Sequence, residues 1–153
     1  NFGVVGGLTP EMSKAKTCIV ERVVHYQFDI SEIDPVKVGQ HSGYDDIYIY
    51  PDAELFKKAV ALHPELKAVT CASGDRFVGK AEDKIKLHED FDADICEMEA
   101  AAVALTCDRS GIPCLILKTV SDGITGGAEE FIAEVDRSAD ICLEITDRII
   151  NSI

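Results

Sequence analysis

Basic residues are scarce in this sequence of 153 residues. Lysine and arginine number 15 against 28 aspartate and glutamate residues, which gives a formal net charge of -13. A protein that grips a phosphate backbone needs clustered lysine and arginine, so this balance argues against DNA or RNA as the partner. A small nucleoside carries no phosphate and is not excluded by the same argument.

Long apolar runs and targeting segments are also lacking. No stretch approaches the roughly 18 consecutive apolar residues that a membrane span needs. The first residues do not form a basic region followed by an apolar one, the pattern of a secretory signal. We therefore expect no membrane partner and a cytoplasmic location. A composition of 46% hydrophobic and 28% charged residues predicts one globular domain over residues 1–153.

Cysteine pairs with the spacing of metal or redox motifs are absent. No two cysteines are separated by two residues, so a zinc site or a thioredoxin-type site is not expected. The cysteines are scattered and mostly stand in apolar runs, which predicts buried free thiols in a reducing cytoplasm. The six are Cys18, Cys71, Cys96, Cys107, Cys114 and Cys142. We expect neither a metal nor a cofactor.

The sequence does contain alternating strand and helix patterns. Strands are predicted over 17–24, 66–72, 93–96 and 113–120, and helices over 53–63, 80–88, 98–110 and around 131–149. The helix over 80–88 is rich in charged residues, so we expect it to be solvated. Residues 1–8 have the pattern of a strand that runs into a glycine turn, which suggests a piece of a longer protein. This alternation predicts a three-layer α/β fold.

Three polar clusters stand where predicted strands end: Ser73-Gly74-Asp75, Glu97-Met98-Glu99 and Ser121-Asp122-Gly123. Each cluster alone is explained by a helix cap or a turn. In open α/β sheets, however, ligands bind outside the carboxyl ends of the strands. The three clusters together therefore predict a binding site at that edge.

The same regions resemble a known family. Residues 71–78 (CASGDRFV), 97–100 (EMEA) and 119–122 (TVSD) resemble the nucleoside phosphorylase and nucleosidase superfamily, with most similarity to 5′-methylthioadenosine/S-adenosylhomocysteine nucleosidases. The resemblance covers nearly the whole chain, and the motifs in this order and spacing are fairly specific. It implies a three-layer αβα fold with a mixed central sheet that is incomplete at the N-terminus. It also implies salvage of methylthioadenosine or a related purine nucleoside.

The resemblance implies a role for each matching residue. Phe77 would stack on the purine, and the backbone of Val78 would contact the edge of the base. Met98 would lie under the sugar, and Glu99 would accept hydrogen bonds from ribose hydroxyls. Asp122 would protonate or hydrogen-bond the purine N7 as a general acid.

Two further binding residues are implied with less defined roles. Ser121 precedes the catalytic aspartate and is placed in the substrate-binding set. Glu97 would stand at a helix start, with a structural or a secondary binding role.

A long polar segment over 27–42 follows the second strand. Residues 25–33 (HYQFDISEI), which lead into this segment, resemble the part of the family that reaches into the active site of the neighbouring subunit. Ile30 and Ile33 would then line the pocket for the 5′ substituent across a homodimer interface. The alternative, that both isoleucines anchor the loop to its own core, is equally open.

Some features of the chain depart from the family pattern. The N-terminal portion, which supplies the acid that activates water and the phosphate-binding arginines of phosphorylases, is not present. Val4 stands where the family usually has a serine near the nucleophile. The turn after Asp122 is short, so contact of Phe131 with the 5′ pocket stays open.

Three hypotheses follow. The preferred one is a purine nucleosidase that cleaves the C1′–N9 bond of an adenine nucleoside with water. The second is a purine nucleoside phosphorylase, which uses phosphate instead. The third is a catalytically incomplete nucleoside-binding protein, suggested by Val4 and by the missing acid.

Overall fold

Six strands and four helices alternate along residues 1–152, the part of the chain described by the computed structural model. In chain order they are β1 (Phe2–Gly7), β2 (Thr17–His25), β3 (Tyr48–Ile49), α1 (Ala53–Leu62), β4 (Lys67–Ser73), α2 (Ala81–Phe91), β5 (Ile95–Glu97), α3 (Ala100–Arg109), β6 (Leu117–Asp122) and α4 (Gly127–Ile150). The predicted alternation is confirmed, with shifts of a few residues at most boundaries.

The strands form one mixed sheet in the order β3-β2-β4-β5-β1-β6. Parallel pairs join β2 to β4, β4 to β5 and β1 to β6. The remaining pairs are antiparallel, including a contact of β2 with β6 that joins distant members of the strand order. The mixed sheet agrees with the predicted fold class.

Helices cover both faces of the sheet. Along β2, Cys18 and Val20 belong to the core cluster that holds the alanines of α3, whereas Ile19 between them packs with α1 and α4. Neighbouring residues of a strand point to opposite faces, so α3 lies on one face and α1 and α4 on the other. The helix α2 lies on that second face through Leu87. The predicted three-layer arrangement is confirmed.

The charged helix differs from its prediction. The sequence pattern predicted a solvated helix, yet Lys84 is 0% exposed and Leu87 is 8% exposed in α2. Both residues lie three positions apart and therefore share one helix face. The prediction was wrong for that face because composition alone does not reveal which polar side chains a fold turns inward.

The strand predicted to begin at Pro113 begins at Leu117 instead. The preceding residues bond elsewhere, since the carbonyl of Cys114 accepts from the backbone N–H of Asp52 at 2.8 Å. Asp52 in turn caps α1, and its Oδ1 accepts from Leu55 N at 2.8 Å. The short edge strand β3 was not predicted because two residues show no periodicity.

All six cysteines are free, and only Cys107 is partly exposed. Burial raises the pKa of Cys18 and of Cys96 to about 12. The pKa of the fully enclosed Cys71 is raised well above its usual value, again by burial. These thiols therefore stay protonated and unreactive near neutral pH.

Within residues 1–152, no helix is long and apolar enough to cross a bilayer.

The long loop after β2 is held at its base by stacked rings. The rings of Phe28 and His41 lie 4.0 Å apart between centroids, and His25 Nδ1 lies 3.2 Å from His41 Nε2. Burial lowers the pKa of His41, and the nearby His25 and Arg109 lower it further. The neutral form of His41 is thus the one that this packing stabilises.

A glycine at the end of β1 allows a close backbone approach. A Cβ on Gly7 would meet the carbonyl oxygen of Met12 at 1.8 Å, whereas a Cβ on Gly3 would find its nearest neighbour at 3.6 Å. We expect Gly7→Ala to lower the free energy of unfolding by about 1–3 kcal/mol, the usual range for overpacking. Urea denaturation of Gly7→Ala, with Gly3→Ala as the matched control, measures this. Equal stability of the two variants would contradict the geometry.

The stacked histidines predict a pH dependence of stability. A folded-state pKa below the unfolded value of about 6.5 means that the folded chain binds fewer protons. The stability that neutral His41 contributes is therefore present above pH 6.5 and is lost as the pH falls. We expect His41→Phe to show a smaller drop in thermal midpoint between pH 7.5 and pH 5 than the unmodified protein. His63→Phe, at the end of α1, is the control, and an unchanged drop in His41→Phe would argue against the assignment.

Candidate active site

Three strand ends meet beside Gly6. This residue of β1 pairs with Cys96 of β5 on one side and with Asp122 of β6 on the other. A cavity of about 170 Å³ opens there. Its wall contains the predicted residues Phe77, Val78, Glu97, Met98, Glu99, Ser121 and Asp122, together with Val4, Val5, Gly6, Arg76, Cys96 and Phe131.

Asp122 ends β6 and is held by donors on both carboxylate oxygens. Ser121 Oγ lies 2.9 Å from Asp122 Oδ1, and Lys84 Nζ lies 2.5 Å from Asp122 Oδ2. Lys84 also donates to the carbonyl of Gly123 at 2.6 Å. The Asp122 side chain is 2% exposed and that of Lys84 is 0% exposed. The pair is therefore a buried, charge-assisted contact between the cavity wall and the residue behind it.

Glu97 ends β5, and its side chain bonds the first N–H groups at the start of α3, whose N-cap residue is Glu99. Its carboxylate accepts from Ala100 N at 2.8 Å and from Glu99 N at 3.1 Å. Lys118 Nζ of β6 pairs with the same carboxylate at 3.0 Å. Ser73 Oγ accepts a hydrogen bond from Ala101 N, the next free donor of the helix, at 3.0 Å. Glu97 thus has the helix-start position that the sequence suggested. Its negative charge is neutralised by the ammonium of Lys118.

Glu99 differs from the other two acids of the cavity. It is exposed, and among residues 1–152 its carboxylate accepts no hydrogen bond and pairs with no cation. Beside it, Met98 and Phe77 are 42% and 45% exposed although both are large and apolar. A free carboxylate next to two open apolar side chains can bind a ligand that has hydroxyl groups and a flat ring.

Other predicted residues lie away from this cavity. Ser73 is used as a helix cap, and Asp75 is exposed outside the cavity wall. Ile30 and Ile33 lie in the loop after β2 and do not line the cavity of their own chain. Ile33 is 86% exposed, so it is not an anchor into its own core. A role of both isoleucines in a partner's pocket stays a prediction.

Several residues of the site were not assigned to it from the sequence, among them Phe131, Arg76 and Lys84. Phe131, which the sequence left open, lies on the wall with its ring edge-on to Phe77 at a centroid distance of 5.3 Å. Arg76 also lines the cavity and is paired with Asp83. Lys84 had one available signal, its helical spacing of three residues from the apolar Leu87.

Comparisons with known proteins agree with this geometry. The sequence model of the Phosphorylase superfamily matches residues 1–151. The aminodeoxyfutalosine nucleosidase of Campylobacter jejuni is 32% identical over 159 aligned positions, which cover 96% of this chain and 67% of that protein. The 5′-methylthioadenosine/S-adenosylhomocysteine nucleosidase of Hydrogenovibrio crunogenus is 34% identical over 128 positions, which cover 80% of this chain and 54% of that protein.

A solved structure extends the likeness to the fold. The 5′-methylthioadenosine/S-adenosylhomocysteine nucleosidase of Helicobacter pylori superimposes with a TM-score of 0.91 at 28% identity, over 99% of this chain and 66% of that one. The chain therefore spans about half to two thirds of the length of these relatives. Its sequence match and its mixed sheet both show that the chain belongs to the Phosphorylase superfamily.

Proposed function

We propose that this chain forms the nucleoside-binding part of a purine nucleosidase. The enzyme would hydrolyse the C1′–N9 bond of an adenine nucleoside such as 5′-methylthioadenosine or S-adenosylhomocysteine. One observation carries the proposal: Phe77, Glu99 and Asp122, which stand far apart in sequence, line a single cavity. An aromatic ring, a free acid and a buried acid provide contacts for a base, a sugar and a leaving group.

The chemistry assigned to Asp122 concerns the leaving purine. As the C1′–N9 bond lengthens, the sugar gains positive charge and the purine gains negative charge. A hydrogen bond or proton at N7 stabilises that negative charge, and general acid catalysis of this kind contributes about 10²–10⁴-fold. Pyrimidines such as uracil lack N7, so an acid in this place favours a purine substrate.

The ribose contacts are assigned to Glu99 and Met98. The carboxylate of Glu99 has no partner within residues 1–152, so ribose hydroxyls would give it the donors that it lacks. Glu97 is already bonded to two backbone N–H groups and to Lys118, which supports a structural role. Phe77 and Val78 would contact the base, and Ser121 would act through Asp122.

The 5′ substituent is the least defined part of the substrate. The Helicobacter pylori relative was solved with a ligand that joins an aminopyrrolopyrimidine, a hydroxypyrrolidine and a thioether. Other relatives are named as aminodeoxyfutalosine nucleosidases. Phe131 beside Phe77 supports an apolar 5′ pocket in this chain. We infer that Ile30 and Ile33 of a second copy complete that pocket in a homodimer, and the exposure of Ile33 supports this.

Product analysis tests the reaction itself. The full-length protein is incubated with methylthioadenosine, with and without phosphate, and the sugar product is identified. Hydrolysis predicts free methylthioribose in both conditions, and a phosphorylase would form the sugar 1-phosphate only when phosphate is present. Nucleoside binding without any turnover would favour the incomplete-enzyme hypothesis.

The free thiols support a reducing compartment such as the cytoplasm.

The role of Asp122 predicts an effect on turnover. Asp122→Asn removes the acidic group while keeping the size of the side chain. We expect kcat to fall by about 10²–10⁴-fold with little change in KM, because the group acts mainly in the transition state. Steady-state kinetics measure both constants, and Asp75→Asn, which alters an exposed acid outside the cavity, is the control. Equal losses in binding and turnover would refute the general-acid role.

The role of Glu99 predicts an effect on sugar recognition. Glu99→Gln removes the charge that strengthens hydrogen bonds from ribose hydroxyls. We expect kcat/KM for ribonucleosides to fall roughly 10- to 100-fold, the value of one charged hydrogen bond. A 2′-deoxynucleoside should lose less if the 2′-hydroxyl is the partner. If neither substrate responds to the substitution, Glu99 does not contact the sugar.

A further inference from the structure

We propose that Lys84 is a positioning residue that supplies, through Asp122, the proton required by the departing purine. The proposal rests on the proposed nucleosidase function. Lys84 is the fourth residue of α2, and its side chain is 0% exposed. Its ammonium donates to Asp122 Oδ2 at 2.5 Å and to Gly123 O at 2.6 Å. Asp122 belongs to the cavity wall, whereas Lys84 lies behind it.

The hydrogen bonds around Asp122 indicate which neighbouring group can supply it with a proton. A carboxylate in an ion pair is an acceptor only, and a lysine ammonium carries three hydrogens. Both oxygens of Asp122 face donors, with Lys84 on one side and Ser121 on the other. Ionised Asp122 has no proton of its own, so it must receive one before it can protonate N7 of the purine. The ammonium at 2.5 Å is the nearest acidic group that can deliver it.

Ser121 can satisfy Asp122 in either protonation state. Its hydroxyl lies 2.9 Å from Asp122 Oδ1 and 3.2 Å from the carbonyl of Val5. A hydroxyl has one hydrogen and two acceptor lone pairs. The hydrogen can point to Asp122 while the carboxylate is ionised. When Asp122 is protonated, the hydrogen can point to Val5 O and the hydroxyl oxygen can accept from the acid.

The proposed step balances. The C1′–N9 bond breaks, and its electron pair stays on the purine. The purine N7 takes a proton from Asp122, and Asp122 takes one from Lys84, which becomes a neutral amine. Water forms the new bond to C1′ and releases one proton to solvent, and Lys84 regains one from solvent after the purine leaves. The sum is nucleoside plus water giving the free sugar and the purine.

Within residues 1–152, no second anion is bonded to the ammonium of Lys84. From β5 the thiol of Cys96 faces it, and burial raises the pKa of that thiol to about 12, so it is neutral. From β1 the site is bounded by Gly6, whose Cβ would lie 3.4 Å from both Lys84 Nζ and Asp122 Oδ2. From α4, Glu130 is bonded to the N–H of Gly123 at 2.7 Å. Asp122 is thus the group to which the proton of Lys84 can pass.

Two substitutions separate proton supply from charge. Lys84→Met removes both, and Lys84→Arg keeps a positive charge on a group that does not release its proton. Each variant is assayed with methylthioadenosine and with the 4-nitrophenyl glycoside of the same sugar, whose leaving group departs without protonation. We expect both variants to lower kcat for the nucleoside by about 10²-fold or more. Turnover of the nitrophenyl glycoside should stay within about threefold.

The matched control is Lys86→Met. Lys86 lies on the same helix, and its exposed side chain pairs with Asp90 at 2.7 Å. Both substrates should be cleaved by this variant at the rate of the unmodified protein. If Lys84→Arg restores nucleoside hydrolysis, or if both substrates are lost in parallel in the Lys84 variants, the proton-supply role is overturned.

The unmodified protein gives a test that needs no variant to fold. Proton transfer to N7 should slow nucleoside turnover in D2O more than it slows turnover of the nitrophenyl glycoside, whose leaving group needs no proton. Equal solvent isotope effects on the two substrates would overturn the proposal. A wild-type protein that cleaves no purine nucleoside would instead refute the proposed function, which keeps the two failures distinct.

Discussion

Two buried lysines hold the acidic end of the sheet together. Lys84 of α2 pairs with Asp122 at 2.5 Å, and Lys118 of β6 pairs with Glu97 at 3.0 Å. All four side chains are at most 3% exposed. A buried carboxylate without a partner costs several kcal/mol, so acids can stand at these strand ends only because a cation reaches each of them. The cavity, its charge and the orientation of both acids depend on these two pairs.

The same pairs give the acids of the cavity different properties. Glu97 is bonded to the first N–H groups of α3 and is neutralised by Lys118, so it is committed to the structure. Asp122 is held by Lys84 and Ser121 but remains on the cavity wall. Glu99 keeps its carboxylate open. The three carboxylates lie near the same two strand ends but have different environments. The reason is that the fold brings different hydrogen-bond donors to each of them.

The path of the backbone determines whether these contacts form. Gly6 lies between Cys96 and Asp122, and a Cβ there would come within 3.1 Å of the Cys96 sulfur and 3.4 Å of Asp122 Oδ2. The absence of a side chain at this position allows β5 and β6 to bring their polar ends together across β1. Helix α2 then covers the junction and inserts Lys84 from the same side as Leu87.

The order of strands and helices followed from the sequence alone because hydrophobic periodicity is a local property. The same is true of the polar clusters at the ends of β5 and β6. The cavity residues from Phe77 to Asp122 were identified through motifs, which likewise lie in short segments. The sequence therefore determined the fold class, the family and most of the cavity wall.

Only the tertiary structure decided which charged residues are buried and which partners they have. Lys84 stands in a helix whose composition is typical of a solvated one, and its partner Asp122 is 38 residues away. The contact of β2 with β6 joins residues about 100 positions apart. Pairings of this kind depend on how the whole chain packs, because the free energy that stabilises them comes from burial and not from any local pattern.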